Sequence, residues 1–161
     1  MEKMHKHRGL TLFEILVVIG ILAIVSAFVA PNIISWRSDM KLRGAINNLK
    51  GDLEMAKARA IRENNLVAII FNNNGYTIFV DNGAGGAVAG DWVKQGSELL
   101  LRDRKLPGGV VIDLAGTTFA NNHTRFNGRG HCAVLGSAIL KNDKGESKTI
   151  AVSRLGINIK K

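Results

Sequence analysis

Cysteine is nearly absent from this chain of 161 residues. Cys132 is the single cysteine, and one thiol cannot form an intramolecular disulfide. Apolar residues at 46% and charged residues at 22% are close to ordinary globular usage. That composition excludes wholesale disorder and a coiled coil, and the length fits one domain of roughly 100–200 residues. The stability of the folded part must therefore come from packing.

Charge is almost absent from residues 10–30, where Glu14 is the one charged side chain among 21 residues. At about 1.5 Å per residue, a helix of that length spans a hydrocarbon core of roughly 30 Å. The polar and basic residues 1–9 precede this run without a spacer, an arrangement that keeps the basic end in the cytoplasm. We therefore expect the protein to meet a membrane, with a separate water-soluble body after it.

The amino terminus has three interpretations. An ordinary secretory signal has an apolar stretch of about 7–15 residues and a small-residue cleavage site, for which residues 25–27 are a loose match. A plain membrane anchor explains the length but not Glu14, because an acidic side chain in mid-membrane costs about 3 kcal/mol unless it snorkels to the headgroups. The third interpretation is a precursor that is processed and assembled.

The third interpretation depends on residues 8–20, which read RGLTLFEILVVIG. They resemble the prepilin-type cleavage and methylation motif of type IV pilins and type II secretion pseudopilins, and Pro31 matches the family's habitual proline. The resemblance implies that a prepilin peptidase and N-methyltransferase cuts after Gly9 and methylates Leu10, where most members have Phe. It also implies that Glu14 of an incoming subunit neutralises the new amine of a neighbour.

Beyond Pro31, apolar residues recur at helical spacing along one stripe, which extends the helix to about Arg62. The stripe consists of Leu42, Ala45, Ile46, Leu49, Leu53, Ala56 and Ala60. The charged residues that we place on the other faces are Lys41, Arg43, Lys50, Asp52, Glu54, Lys57, Arg59 and Arg62. The pattern predicts one helix that is apolar all round in its first half and amphipathic in its second.

After residue 65 the pattern changes to strands. Residues 66–71 and 76–80 predict a hairpin around the turn 72–75, and residues 81–96, which contain five glycines, predict a long surface loop, called here the glycine-rich loop. Further predicted strands are 99–101, 110–114, 117–119, 133–141 and 148–159. The predicted fold class is α+β, with the long helix packed on an antiparallel sheet domain.

The order of these elements, together with short motifs such as the segment 124–130, resembles the GspH/FimT group, which contains minor pseudopilin H and related minor type IV pilins. The resemblance implies a pilin-like fold, a single pass through the inner membrane and a periplasmic C-terminal domain. The implied segments are a leader (1–9), a transmembrane assembly helix (10–30), an amphipathic helix (31–63) and a β-sheet domain (64–161). Other pilin subunits are the implied partners, in either a secretion pseudopilus or a pilus.

The sequence predicts no enzyme, no metal site and no cofactor. His131 beside Cys132 is the one place for a nucleophile and a base, but adjacent residues on a strand point to opposite faces. A half-buried structural cysteine is the simpler interpretation. His5 and His7 lie in the predicted leader, and no cysteine or carboxylate pair has metal-ligand spacing.

DNA binding is the rival function. Of the net charge of +9, residues 121–161 carry +6, from eight basic and two acidic side chains. The candidate contacts are Arg154, Lys160 and Lys161. Minor pilins related to FimT that bind DNA carry a Gly-Arg-x-Arg type motif, whereas residues 154–161 lack the arginine after glycine. Phe126 is the only aromatic residue of that region, which is a poor platform for base stacking.

Overall fold

The computed structural model describes residues 11–154 and 156–160, with side chains described for all of these except 28–34. The chain divides into two compact units, residues 1–37 and residues 38–161. The first helix, α1, covers Leu12–Glu63 and contributes to both units. This agrees with the predicted helix from Leu10 to about Arg62, and the helix continues through Pro31.

In unit 1, α1 begins with a side-chain cap. The backbone N–H of Glu14 donates a hydrogen bond to Thr11 Oγ1 at 3.2 Å, as in a capping box with threonine at the N-cap and glutamate three residues later. In the part of the chain that is described, no helix combines the length and apolarity needed to cross a membrane.

Unit 2 contains eight named strands. They are β1 (Val67–Asn72), β2 (Gly75–Val80), β3 (Leu100–Lys105), β4 (Val110–Ile112), β5 (His123–Phe126), β6 (Gly136–Asn142), β7 (Ser147–Ser153) and β8 (Gly156–Lys160). They form two four-stranded antiparallel sheets, the first in the order β3-β2-β1-β5 and the second in the order β4-β6-β7-β8. The α+β prediction is confirmed, with two sheets in place of one.

The core of unit 2 lies between the apolar stripe of α1 and both sheets. All seven stripe residues predicted from the spacing are at most 3% exposed. Ile69 and Ile78 from the first sheet and Leu140 and Ile150 from the second are fully buried in the same cluster. Each such side chain contributes about 1.5–3 kcal/mol when it is fully buried, so the core alone can hold a domain that has no disulfide.

Three strand predictions were wrong. Residues 117–119 form no strand; the Thr117 N–H and hydroxyl both donate to the Asp113 carbonyl, at 3.0 and 2.8 Å, and close the turn that precedes them. Residues 148–159 are not one strand but the hairpin of β7 and β8, and β5 was not predicted. The predicted strand 133–141 begins only at Gly136, so His131 and Cys132 lie outside a regular strand.

Candidate functional site

The predicted processing residues Gly9 and Leu10 lie outside the described residues. Glu14 is described, and its side chain is exposed. Around it lies an exposed surface of large apolar side chains, called here the apolar helix surface. It consists of Leu12, Phe13, Ile15, Leu16, Val17, Val18, Ile19, Ile21, Leu22, Ile24 and Val25, which are between 44% and 81% exposed. An apolar surface of this extent requires a partner, whether lipid or another protein.

The predicted basic residues are placed at separate points. Arg154 follows β7 and Lys160 ends β8, and both are exposed. Lys161 lies outside the described residues. Because β8 separates Arg154 from Lys160, and a strand rises about 3.3 Å per residue, the two cations are more than about 10 Å apart along the edge of the sheet. They do not form one compact cationic cluster.

Asp52 corrects the prediction that placed it on an exposed face of α1. The residue is 6% exposed, and its carboxylate accepts hydrogen bonds from the Tyr76 hydroxyl and from Arg104 Nε, each at 2.7 Å. Arg102 Nε lies 3.4 Å from the same carboxylate. Burial, followed by the hydrogen bond to Asp52, raises the pKa of the Tyr76 phenol far above its ordinary value, so it stays a donor. This network joins α1 to the first sheet.

Buried carboxylates hold the glycine-rich loop in place. Asp81, which is fully buried, accepts the Gly90 N–H at 2.6 Å. Glu98 is 3% exposed and accepts the N–H groups of Gly83 at 3.0 Å and Gln95 at 2.9 Å. The prediction of a loop over residues 81–96 is confirmed, but its backbone is constrained by Asp81 at its start and by Glu98 just beyond its end.

The loop also stacks on the first sheet. The Trp92 ring lies 4.0 Å from the His123 ring, with the two planes 19° apart. The Arg125 guanidinium lies 4.3 Å from the centre of the Trp92 ring, a distance typical of a cation–π contact. Burial, and then the charge of Arg125, lower the pKa of His123. His123 is therefore neutral when the loop is docked at neutral pH.

Glycine is required where the segment 124–130 passes the end of α1. A Cβ atom at Gly128 would lie 2.1 Å from Asn64 Oδ1 and 2.8 Å from Asn64 Cα, closer than real Cβ contacts. Asn64 itself has a positive φ of 49°, as helix-terminating residues often do. Gly128 of the segment 124–130 therefore allows the chain to pass close to the C-terminal end of α1.

Cys132 is half-buried, as predicted. Its thiol and the Thr124 hydroxyl both donate to the Val134 carbonyl, at 3.0 and 2.7 Å. Burial raises the pKa of the thiol, which makes the thiolate, the reactive form, less available. His131 is exposed. Among residues 11–154 and 156–160, no group of three or more His, Cys, Asp or Glu side chains could hold a metal ion.

The long helix followed by antiparallel sheets defines the class of protein as pilin-like. A fold likeness agrees: the solved structure of the minor pseudopilin EpsH from the type 2 secretion system of Vibrio cholerae has a TM-score of 0.55, at 10% identity. The alignment covers 74% of this chain and 96% of that chain. No curated protein matches the chain.

Two family descriptions match the sequence. The one for a prokaryotic N-terminal methylation motif covers residues 4–30. The one for Type II transport protein GspH covers residues 45–156, which is more than half of the chain. The chain therefore belongs to the GspH family of type II transport proteins, a family of structural pseudopilins.

Sequence reasoning missed the buried role of Asp52 and the stacking of Trp92. One feature of the sequence indicated that Asp52 lies near the buried face: it directly precedes the stripe residue Leu53 and follows the stripe residue Leu49 by three positions. A residue so close to the stripe lies at its border, where a carboxylate can reach a partner across the interface. Its partners come from β2 and β3, which helical spacing alone does not identify.

Proposed function

We propose that this GspH-type minor pseudopilin is made as an inner-membrane precursor, trimmed after Gly9, methylated at Leu10 and assembled through its N-terminal helix into a periplasmic pseudopilus. The apolar helix surface, with Glu14 as its single charge, is the observation that carries the proposal. The methylation motif over residues 4–30 supports it. On this proposal residues 1–9 are the leader, 10–30 the membrane and assembly segment, 31–63 the amphipathic helix and 64–161 the periplasmic domain.

Assembly follows from the charge that cleavage creates at the new amino terminus. Cleavage after Gly9 leaves a charged amine on Leu10 among apolar side chains. A carboxylate in mid-membrane costs about 3 kcal/mol when it is unpaired, and an ammonium group carries a penalty of the same kind. When Glu14 of one subunit meets the Leu10 amine of its neighbour, each charge removes the penalty of the other.

Glu14 also has a second role that must be separated from pairing. Its backbone N–H caps the helix on Thr11 Oγ1, and a capping box uses the glutamate side chain as an acceptor for the threonine N–H. An amide side chain can accept that hydrogen bond but carries no charge. All three residues keep the backbone N–H bond to Thr11; Glu14→Gln also keeps the side-chain acceptor and removes the charge, whereas Glu14→Leu removes both the acceptor and the charge.

The test compares wild type, Glu14→Gln and Glu14→Leu as full-length chains in cells that carry the secretion system. We expect all three to be inserted and processed, with an intact mass that shows loss of nine residues and gain of one methyl group. We expect both variants to enter crosslinked filament complexes much less than wild type, because an uncompensated buried charge costs about 3–5 kcal/mol.

Gly9→Val is the control for processing, and it should accumulate the uncut precursor because a side chain obstructs the peptidase site. Full incorporation of Glu14→Gln with loss of Glu14→Leu would assign Glu14 to capping. Equal incorporation of all three chains would contradict the pairing mechanism and favour a carboxylate that only snorkels. A mature terminus at Phe28 would support an ordinary signal peptide.

DNA binding is a second candidate function. The observation in its favour is that Arg154 and Lys160 are exposed, in the region where the chain carries +6 of its net charge of +9. Their separation along β8 favours diffuse electrostatic contact with phosphates over a compact site.

A further inference from the structure

A cleft of about 400 Å³ opens within unit 2, between the C-terminal part of α1, the segment 126–135 and the adjoining ends of β7 and β8. The side chains of Phe126, Val152 and Ile157 give it an apolar lining and are only 2–4% exposed. Leu135, which also lines it, is 44% exposed. The cleft can therefore receive an apolar group of about the size of one or two side chains.

The charged residues that line the cleft are all basic. Lys57 comes from α1 and Arg154 from the β7–β8 connection, and exposed His131 lies between them in the sequence. No carboxylate of the described residues lines the cleft. Within residues 11–154 and 156–160, neither Lys57 nor Arg154 forms an ion pair. Both cations are therefore available to an anion from outside the chain.

Four basic side chains of unit 2 are engaged with carboxylates of the same chain. Arg43, Arg59, Arg104 and Lys141 each lie 2.6–2.9 Å from a carboxylate of the same chain. In the described part of the chain, Lys57 and Arg154 form no such ion pair and, unlike Lys144 and Lys160, they line the cleft. It is a place where positive charge is left without an internal partner next to an apolar lining.

The backbone holds Lys57 beside the cleft. Gly130 has a φ of +74°, and a Cβ atom there would lie 2.8 Å from Ile61 Cδ1 and 3.4 Å from Lys57 Cε. The turn that carries Gly130 therefore passes directly against α1 and contacts the aliphatic stem of Lys57. A lysine stem that is packed in this way loses less freedom when its ammonium group binds an anion.

We propose that this cleft binds a segment of a partner protein that presents a carboxylate next to an apolar side chain. The carboxylate lies between Lys57 and Arg154, and the apolar side chain covers Leu135 and the buried lining. Nucleic acid fits less well, because the Phe126 ring is 2% exposed and offers no face for a base to stack on. The proposal goes beyond filament assembly and does not depend on Glu14.

Cys132 provides the test, since it lines the cleft and is the single cysteine of the chain. The full-length chain in detergent is labelled with the neutral thiol reagent dithiodipyridine in mildly alkaline buffer. The probes are two capped tetrapeptides, one of alternating aspartate and leucine and one of alternating lysine and leucine. We expect the acidic peptide to protect Cys132 at a concentration roughly 5- to 30-fold lower than the basic one, as expected for two exposed ion pairs.

The double charge reversal of Lys57→Glu and Arg154→Glu should abolish the preference for the acidic peptide. The matched control is Lys144→Glu with Lys160→Glu, which makes the same change in net charge at exposed positions that do not line the cleft and should keep the preference. Fluorescence anisotropy of the same peptides carrying fluorescein measures binding without the thiol.

Equal binding of both peptides, or an unchanged preference in the Lys57 and Arg154 double variant, would overturn the proposal. Protection by oligothymidylate in the absence of protection by the acidic peptide would overturn it too, and would assign the cleft to nucleic acid. The peptide assay uses the purified chain, so a negative result there does not contradict the proposed assembly mechanism. Equally, a negative result in the Glu14 experiment does not contradict the cleft proposal.

Discussion

The carboxylate of Asp52 holds α1 to the first sheet through two neighbouring strands. It accepts from the Tyr76 hydroxyl on β2 and from Arg104 on β3, and these contacts replace the water that its burial removes. The hydrogen bond to Asp52 also raises the pKa of Arg104. Because Arg104 is partly exposed, its ion pair is screened by solvent, and the buried hydroxyl of Tyr76 is the partner that suffers most when Asp52 is removed.

We predict that Asp52→Ala lowers the free energy of unfolding by about 2–4 kcal/mol, because it leaves a buried hydroxyl and a partly buried guanidinium without partners. Tyr76→Phe removes one hydrogen bond without leaving a donor unpaired and should cost about 1 kcal/mol. Thermal unfolding of the full-length variants in detergent, followed by circular dichroism, measures both. Equal losses in the two variants would contradict the assigned role of Asp52.

Residue burial was predictable where it follows from spacing along one element. The seven stripe residues of α1 were identified from the helical repeat, since a 3.6-residue period alone selects them. Asp52 was assigned to the exposed faces because the same argument treats every charge as solvated. Its burial depends on Tyr76 and Arg104, which become neighbours only when β2 and β3 pair beneath the helix.

At the scale of elements, the glycine-rich loop and β5 depend on each other through the stack of Trp92 on His123 and Arg125. Neutral His123 stacks at no electrostatic cost, whereas protonated His123 places a second cation beside Arg125. Asp81 lies 3.9 Å from the Arg125 guanidinium and offsets part of that positive charge. The docking of the loop is therefore linked to the protonation of His123.

We predict that acidification loosens the loop. Because the folded-state pKa of His123 is lowered, the unfolded chain binds the proton more readily. Above the unfolded-state pKa of about 6.5, His123 is neutral in both states and its contribution to stability is complete. Below that pH the unfolded chain takes up the proton first, so the contribution decreases until the pH is below the folded-state pKa. Trp92 fluorescence, measured in a Trp36→Phe background, should change over that range.

His123→Gln is the matched control for this titration, since an amide can stack but does not titrate between pH 5 and 8. The change of Trp92 fluorescence with pH should disappear in that variant. A titration that persists unchanged in His123→Gln would show that another group controls the loop.

Elements defined by local pattern were predicted well. The hairpin of β1 and β2 has a short turn and continuous apolar runs, and its register pairs Val67 with Val80. The strand β5 was not predicted, because it has four residues and pairs with β1, whose residues are more than fifty positions earlier. The two strands β7 and β8 were merged, because apolar residues continue across the turn between them.

For the molecule as a whole, the net charge of +9 favours electrostatic binding of DNA. We predict that any binding of duplex DNA by the full-length chain is electrostatic, with affinity falling steeply between about 50 and 200 mM salt. Charge reversal of Arg154, Lys160 and Lys161 should weaken it without unfolding unit 2. Electrophoretic mobility shifts measure both effects, and no shift at low salt would remove DNA binding as a candidate function.

The α+β class and the GspH relationship were predictable from the order of helix, hairpin, loop and later strands. The division into two sheets was not, because it depends on β4 pairing with β6 rather than with its sequence neighbours. Alternation along a strand shows that one face is buried, but it does not identify the partner strand. The cleft was not predicted, since it exists only where both sheets and α1 are in place.

The order of strands in the two sheets also fixes an order of completion during synthesis. All four strands of the first sheet are present once residue 126 has been made, whereas the second sheet requires β8, which ends at Lys160. Val110 and Ile112 of β4 are made early, yet β6, the strand they pair with, begins only at Gly136. Because a chain folds from its amino-terminal side as it emerges, these two apolar residues stay unpaired until β6 has followed them.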